Sequence, residues 1–271
     1  MVNFSVLMSL YKNEKAEYFI KCMESILNQT VLPSELVIVK DGPLTDELDK
    51  VLDSYVKKDK VLYKIVPLKE NHGLGYALSQ GVLACSNEII FRMDTDDIAD
   101  VRRFEIQLKE FKADLDLDIC GSYITEFEDI PENIIALRKV PLEDADIKLY
   151  QKRRDAFNHV TVAFKKSSVL RAGNYRTCLL MEDTLLWVHM MIAGAKCKNI
   201  PLPLVNVRAG KDMYRRRGGW EYFLKYKNGR KKVRETGYIS SFDYYYTLAI
   251  QFVVALVPGS IRRWIFLNLL R

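Results

Sequence analysis

Short apolar runs alternate with segments of helical spacing over the first hundred residues. That rhythm limits the fold more than any other feature of the chain. Phe4–Leu10, Glu35–Lys40, Leu62–Val66 and Glu88–Met93 read as strands. Between the first two, Glu17–Asn28 sets Phe19, Ile20, Met23, Ile26 and Leu27 on one helical face. Leu44–Lys58 reads as a second helix, and a third opens at Asn71-His72-Gly73-Leu74-Gly75 and runs through Cys85. Strands separated by helices predict an α/β fold with a parallel, doubly wound sheet. Such sheets bind ligands outside the C-terminal ends of their strands. Asp41 and the run Asp94-Thr95-Asp96-Asp97 both fall at that edge.

The later pattern is mixed. Helices are expected at Arg102–Lys112, Glu143–Gln151, Ser167–Ala172 and from Glu182 to Ala193. Strands are expected at Ile119–Phe127, Ile134–Val140, Val160–Lys165 and Leu204–Arg208. Tyr244–Val257 is a mostly apolar run stopped by Pro258-Gly259. Ile261–Leu270 then joins Arg262 and Arg263 to Trp264 and several aliphatic side chains. Both pieces are too short to span a bilayer. Their mixture of basic, aromatic and aliphatic residues suits a helix lying in a membrane interface. The competing expectation is packing on the domain or on a second copy in a homodimer.

Charge is divided along the chain. Residues 1–150 carry 18 Lys and Arg against 28 Asp and Glu, whereas residues 151–271 carry 23 against 7. The segment 196–234 alone has 13 basic and 2 acidic residues. This asymmetry predicts a basic face for an anionic partner. No nucleic-acid reader motif accompanies it, so nucleic acid is not the partner expected. The five cysteines are scattered without CxxC spacing, which points to reduced cytosolic thiols rather than a zinc site or disulfide framework. No signal peptide is expected, since the first ten residues lack a charged start and read as a strand.

Three carboxylates within Asp94–Asp97 need neutralisation, because close like charges repel and their burial costs several kcal/mol. A hard divalent cation such as Mg²⁺ or Mn²⁺ takes oxygen ligands and leaves positions for substrate phosphates. A solvated acidic turn is the simpler alternative.

Several segments, taken together and in order, resemble the family 2 glycosyltransferases of the GT-A fold. They are Ser5 to Glu14, Ser25-Ile26-Leu27-Asn28-Gln29-Thr30, Val37 to Pro43, Asn71 to Gly75, Met93 to Asp97, Asn158-His159 with Val169 to Gly173, Glu182-Asp183, and Arg215-Arg216-Arg217-Gly218-Gly219. The resemblance spans roughly residues 3–235. It implies a nucleotide-sugar-binding half at 1–115, an acceptor-binding half at 116–210, and a basic, amphipathic extension at 211–271. Asp94–Asp96 matches the family's DxD motif and Glu182-Asp183 its ED motif.

The implied reaction is inverting, metal-dependent transfer of a sugar from a nucleotide-sugar donor, a UDP-hexose. Likeness to bacterial polysaccharide members implies an undecaprenyl-diphosphate-linked saccharide as acceptor, with the enzyme peripheral on the cytoplasmic membrane surface. In this reading Asp96 and Asp97 hold Mn²⁺ or Mg²⁺. Asp94, Ser9, Tyr11, Asp41 and Gly73 line the donor site, with Asp41 accepting from the base. Asp183 is the general base. His159, Glu182, Arg215 and Arg216 face the acceptor. Many relatives place a metal-binding histidine after the ED helix, but this chain has none beyond His189. Arg208 or Lys211 is therefore expected to neutralise the pyrophosphate. Two other readings are a nucleotidyltransferase, which would usually have a glycine-rich loop where Tyr11-Lys12-Asn13-Glu14 stands, and a catalytically silent membrane scaffold, against which Asp94, Asp96 and Asp183 speak.

Overall fold

The structure is a computed structural model and describes residues 2–57, 61–209, 218–259, 261–262 and 265. The strands among them form a nine-stranded sheet. Its first part is parallel: β3 (Leu62–Pro67), β2 (Glu35–Lys40), β1 (Phe4–Leu10) and β4 (Ile89–Arg92) lie side by side in that order. The chain winds outward from β1 to β3, then returns to place β4 on the other side of β1. This reversal is the crevice where doubly wound sheets take ligands.

Alternation along the strands builds two cores. Phe4, Val6, Met8 and Leu10 of β1, with Leu36 and Ile38 of β2, face one layer. That layer includes Phe19 and Met23 of α1 (Ala16–Leu27), Leu48 and Leu52 of α2 (Asp46–Val56), and Phe104 and Leu108 of α4 (Arg103–Ala113). Leu7, Val37 and Val39 face the opposite layer. There they meet Ala77 and Val82 of α3 (Leu74–Ala84), and Leu186, Trp187 and Met190 of α7 (Glu182–Ile192). Side chains of period two thus bury both faces of the sheet.

The second part of the sheet is mixed. β8 (Ala163–Lys165) runs antiparallel to β4 and to β6 (Leu117–Phe127). β9 (Lys196–Arg208) lies parallel to β6. β7 (Ile134–Arg138) flanks β6, and β5, only Ile98–Ala99, pairs with β9. Two differences from expectation have local causes. β9 starts well before Leu204, because a register shift beside Tyr123 lets Pro203 sit in the ladder; a proline inside a run otherwise argues against a strand. Only the end of Val160–Lys165 is strand, since His159–Thr161 forms a 3₁₀ turn. α5 (Asp144–Gln151) and α6 (Lys166–Arg171) complete the domain.

Two further helices follow. α8 (Trp220–Glu235) and α9 (Ser241–Leu256) join α7 in a third core of Met181, Leu185, Val188, Phe223, Val233, Tyr244 and Leu248. Ser240 and Asp243 form a capping box at the start of α9, and Asp243 also pairs with Arg153 at 2.6 Å. Tyr244, Thr247, Leu248, Val254 and Ala255 of α9 are buried. Phe242, Tyr245, Ile250, Val253 and Leu256 are exposed. Arg262, read from sequence as part of a membrane-facing basic pair, is instead 6% exposed and donates to the carbonyls of Val254, Ala255 and Val257. Its cation caps the C-terminal end of α9, where four carbonyls lack helical donors. Most of the expected 261–270 helix lies outside the described residues. Among the described residues no helix is long and apolar enough to cross a membrane.

Candidate functional site

The site is assembled at the C-terminal ends of β1, β2 and β4. Asp41 follows β2, is 4% exposed, and shapes the turn before α3. Its carboxylate accepts from Asn71 Nδ2 (2.9 Å), His72 N–H (2.8 Å) and Gly73 N–H (3.0 Å). Gly73, at φ +88°, takes the left-handed conformation that glycine tolerates. A carboxylate offers about four acceptor positions, so about one remains for a donor outside the chain. Ser9 is half-buried near the end of β1 and Tyr11, just past it, is 39% exposed.

The acidic run begins two residues after Arg92, on the same strand face. Arg92 is 2% exposed. Its Nη1 donates to Asp94 Oδ2 at 2.6 Å and its Nη2 to Asp94 Oδ1, a bidentate pair. Both Asp94 oxygens are therefore engaged. Asp97 is 2% exposed, and its Oδ1 accepts from the Arg208 backbone N–H at 2.8 Å. Burial, then Asp96 and Asp94, push its carboxyl well above the ordinary range. Asp96, like Asp94, is half-buried; burial, then the charges of Asp94 and Glu14, raise it to about 7. Of the expected Asp96 and Asp97 ligand pair, Asp96 is the more accessible. Asp97 lies beneath, tying the acidic turn to β9.

Arg208 occupies the expected position beside this turn. Its guanidinium lies 3.7 Å above the Tyr18 ring and 4.6 Å from Phe127, while Nε donates to the Asp96 carbonyl at 3.3 Å. Its buried Nη2 has no hydrogen-bond partner among the described residues.

The ED motif opens α7. A Cβ on Gly75 would come within 3.0 Å of Glu182 Cβ, so the donor-side helix α3 touches the ED residues directly. Asp183 Oδ1 accepts from Thr184 N–H at 2.7 Å. Burial, followed by the charges of Asp155 and Glu182, raises Asp183 to about 8. Burial likewise raises Glu182. His159 lies alongside, with Nδ1 3.9 Å from Asp183 Oδ2 and Nε2 2.9 Å from the Tyr175 hydroxyl. Burial, then Arg92, holds this imidazole neutral by driving its pKa well below the ordinary value. Arg215 and Arg216 lie outside the described residues, as does Lys211.

Arg92, Asp155 and Tyr175 were missed from sequence. Arg92 had a readable signal: one charged residue in an apolar strand, two positions before a carboxylate. Asp155, whose Oδ1 accepts from the Thr184 hydroxyl, and Tyr175 reach α7 from remote loops and carry no local pattern. Arg92 joins the two acidic motifs electrostatically. It is bonded to Asp94, and its charge lowers the pKa of Asp96, Asp97, Glu182 and Asp183. One buried cation serves five acidic residues, and burial with mutual repulsion raises four of them, so a second cation would favour their ionised forms.

Among the described residues no group of three or more His, Cys, Asp or Glu side chains is arranged to hold a metal ion. The arrangement suits an ion bound through one carboxylate with phosphate oxygens completing its shell, the habit of Mg²⁺.

Comparison with known proteins bears on this geometry. The family model for glycosyl transferase family 2 matches residues 5–173. The amylovoran biosynthesis glycosyltransferase AmsE of Erwinia amylovora is 35% identical, covering 97% of each chain. The Escherichia coli UDP-Gal:alpha-D-GlcNAc-diphosphoundecaprenol beta-1,3-galactosyltransferase is also 35% identical, over 99% of this chain and 96% of that one. Among solved structures, S. aureus TarS 1-349 in complex with UDP-GlcNAc superposes with a TM-score of 0.62 at 14% identity, covering 99% of this chain and 72% of that one. The mannosyltransferase PcManGT from Pyrobaculum calidifontis, in complex with GDP-Man and Mn²⁺, gives 0.62 at 15% identity, over 94% and 70%. These structural likenesses establish a GT-A-like fold, with the mostly parallel, helix-flanked sheet that the sequence predicted.

Proposed function

The chain belongs to glycosyl transferase family 2, and on that premise we propose an inverting glycosyltransferase that moves a hexose from a UDP-sugar to a lipid-diphosphate-linked saccharide during assembly of a bacterial surface polysaccharide. The acceptor class follows the undecaprenol-linked substrate in the name of the E. coli relative, and the pathway follows the amylovoran relative. One observation carries the reading: buried Arg92 draws the Asp94–Asp97 turn and the ED motif into one acid-lined crevice at the sheet's switch point.

The residues divide the work. Asp41 and its turn, with Ser9 and Tyr11, form the wall for the nucleoside. Asp94, fixed by Arg92, faces the ribose or donor sugar. Asp96 would hold Mn²⁺ or Mg²⁺, which when bound stabilises the charge of the departing diphosphate. Arg208, with its unpaired Nη2, lies where the pyrophosphate would pass. Asp183 takes the proton of the acceptor hydroxyl as that oxygen bonds to the anomeric carbon. The bond from the anomeric carbon to the phosphate oxygen breaks on the opposite face, its electron pair leaves with the nucleoside diphosphate, and configuration inverts. A base with a pKa near 8 suits this task, because the product of ionised fraction and base strength is greatest where the pKa approaches the working pH. His159, clamped by Tyr175, steadies the Asp183 carboxylate, and Glu182 faces the acceptor.

The exposed side of α9 supports a peripheral position on the inner face of the membrane. An interfacial helix gains from apolar burial, and each nearby Lys or Arg adds on the order of 1 kcal/mol on anionic lipid.

The test is a panel of nucleotide sugars with Mn²⁺, with Mg²⁺ or with chelator, offered with a synthetic lipid-diphosphate saccharide, followed by NMR of the product anomer. Retained configuration, or full turnover under chelator, would overturn the mechanism.

A further inference from the structure

A groove of about 510 Å³ lies between α8 and the segment that leads into the ED motif, outside the residues assigned above. One wall is Thr177, Cys178 and Leu179. The other is α8, which supplies Lys225, Asn228, Lys231, Lys232 and Glu235. Phe223, Arg230 and Val233 of the same helix are buried inward, so α8 presents a second ordered stripe of positions three and four apart. That stripe is cationic, with three lysines against one glutamate.

The groove adjoins the catalytic carboxylates. Thr177 to Leu179 precede Asp183 by four to six positions. A Cβ on Gly229 would meet Met181 Sδ at 2.7 Å, so α8 rests directly on the chain entering the ED motif. The Cys178 thiol, raised by burial, feels Lys232 on one side and Glu182 and Asp183 on the other.

The lysines are held loosely. Lys232 donates to the Thr177 carbonyl at 3.1 Å. Lys225 pairs with Glu221 at 2.6 Å and Lys231 with Glu235 at 3.9 Å, both on the exposed helix surface. Exposed pairs of this kind are worth at most about 1 kcal/mol, so an incoming phosphate exchanges with them readily. Leu179, in the groove wall, is 68% exposed, and Trp220 and Leu224, further toward the start of α8 on the Asn228 stripe, are 58% and 40% exposed. A cationic groove with room for a diphosphate, an exposed leucine in its wall and exposed apolar side chains further along α8 matches a diphosphate joined to a hydrocarbon.

We propose that this groove binds the diphosphate of the acceptor's lipid carrier. Lys225, Lys231 and Lys232 take its oxygens, and Trp220, Leu224 and Leu179 receive the start of the chain. The proposal rests on the lipid-diphosphate reading of the acceptor, and it places the sugar beyond the diphosphate at Asp183.

The test uses the full chain in neutral detergent, titrated calorimetrically with decyl diphosphate and, separately, with UDP and Mn²⁺. The variants are K225Q/K231Q/K232Q, its arginine counterpart K225R/K231R/K232R, and D183N. Charge-assisted contacts to phosphate predict a loss of about tenfold or more in decyl diphosphate affinity for the glutamine triple. Arginine should restore it, and D183N should bind decyl diphosphate as wild type does. UDP binding should be the same in all, which certifies the fold. In turnover, the glutamine triple should raise the acceptor KM at near-constant kcat. Unchanged decyl diphosphate affinity in the glutamine triple would overturn the groove while leaving the acceptor class intact. Equal wild-type turnover on the same saccharide as a plain alkyl glycoside would instead remove the acceptor reading. If the triple loses only its binding to phosphatidylglycerol vesicles, the groove serves membrane headgroups and the proposal falls.

Discussion

Replacing Asp183 by asparagine should stabilise the fold while stopping the chemistry. The carboxyl is raised from 3.8 to about 8, first by burial and then by Asp155 and Glu182. Between those two values the native state binds more protons than the unfolded chain, so stability falls as pH rises through the window and levels off above about 8. Each pH unit of separation is worth about 1.4 kcal/mol, giving a cost of about 4 kcal/mol at pH 7 if nothing relaxes. The side chain is 21% exposed, and water there brings the expected figure to about 2–3 kcal/mol. Asparagine keeps the shape and an oxygen for the Thr184 N–H but carries no charge. Urea unfolding of both proteins at about pH 5, 7 and 8.5 reads the difference, which should widen with pH. Transfer by D183N should drop about 10²-fold or more, the scale of a lost general base. Identical pH dependence of stability in the two proteins would refute the buried, proton-holding carboxyl. Near-wild-type turnover would refute its role as base.

D96N should abolish transfer and remove the metal-dependent part of nucleoside diphosphate binding, read by calorimetry with and without Mn²⁺; unchanged dependence would take Asp96 out of the metal site. R92M leaves Asp94 without its cation and should destabilise the fold, by less than the roughly 3–5 kcal/mol of a fully buried pair because the Asp94 side chain is 38% exposed, measured by urea unfolding. H159N removes the imidazole that stands between Tyr175 and Asp183 and should lower the transfer rate with the fold intact by urea unfolding, and an unchanged rate would make His159 purely structural. Replacing the exposed Tyr245, Ile250, Val253 and Leu256 of α9 by serine, which leaves its buried face in place, should weaken flotation with anionic vesicles more than turnover on a detergent-solubilised acceptor. Equal flotation of both proteins would sink the membrane role of α9.

The first half of the fold was legible because two periodicities changed cleanly from two to 3.6. β1 and β2 have the boundaries read from sequence, and α1, α3 and α4 differ by only a few residues at their ends. The second half blurred where tertiary pairing overrode local signals. Pro201 and Pro203 hid the start of β9, and the two-residue β5 exists only because β9 lies beside it. In the site, carboxylates were visible as types but not as environments. Sequence could not say that Asp94 would be saturated by Arg92, that Asp97 would face the β9 backbone, or that Asp155 would arrive beside Asp183. Those facts depend on which side of a buried turn each side chain takes.

The division of charge acquires a different meaning once the chain is folded. Part of the basic second half is engaged in ion pairs within the chain. Lys196 pairs with Asp114 at 2.6 Å, Lys198 with Glu110 at 2.7 Å and Arg171 with Asp118 at 3.5 Å. Each joins the acidic half to the basic half across β6 and its neighbours. Arg262 closes a helix end, and Arg230 donates to the Lys152 carbonyl at 2.7 Å. The carboxyls of Asp94–Asp97 and Glu182-Asp183 gather in the crevice, where burial and mutual repulsion raise most of them. Part of the basic excess, Lys225, Lys231 and Lys232, stands on the outer stripe of α8, next to the chain leading to Asp183. Positive and negative surfaces therefore meet at one edge of the crevice. A substrate that carries both a proton to surrender and a diphosphate to be held would be oriented by that boundary before any specific sugar contact forms.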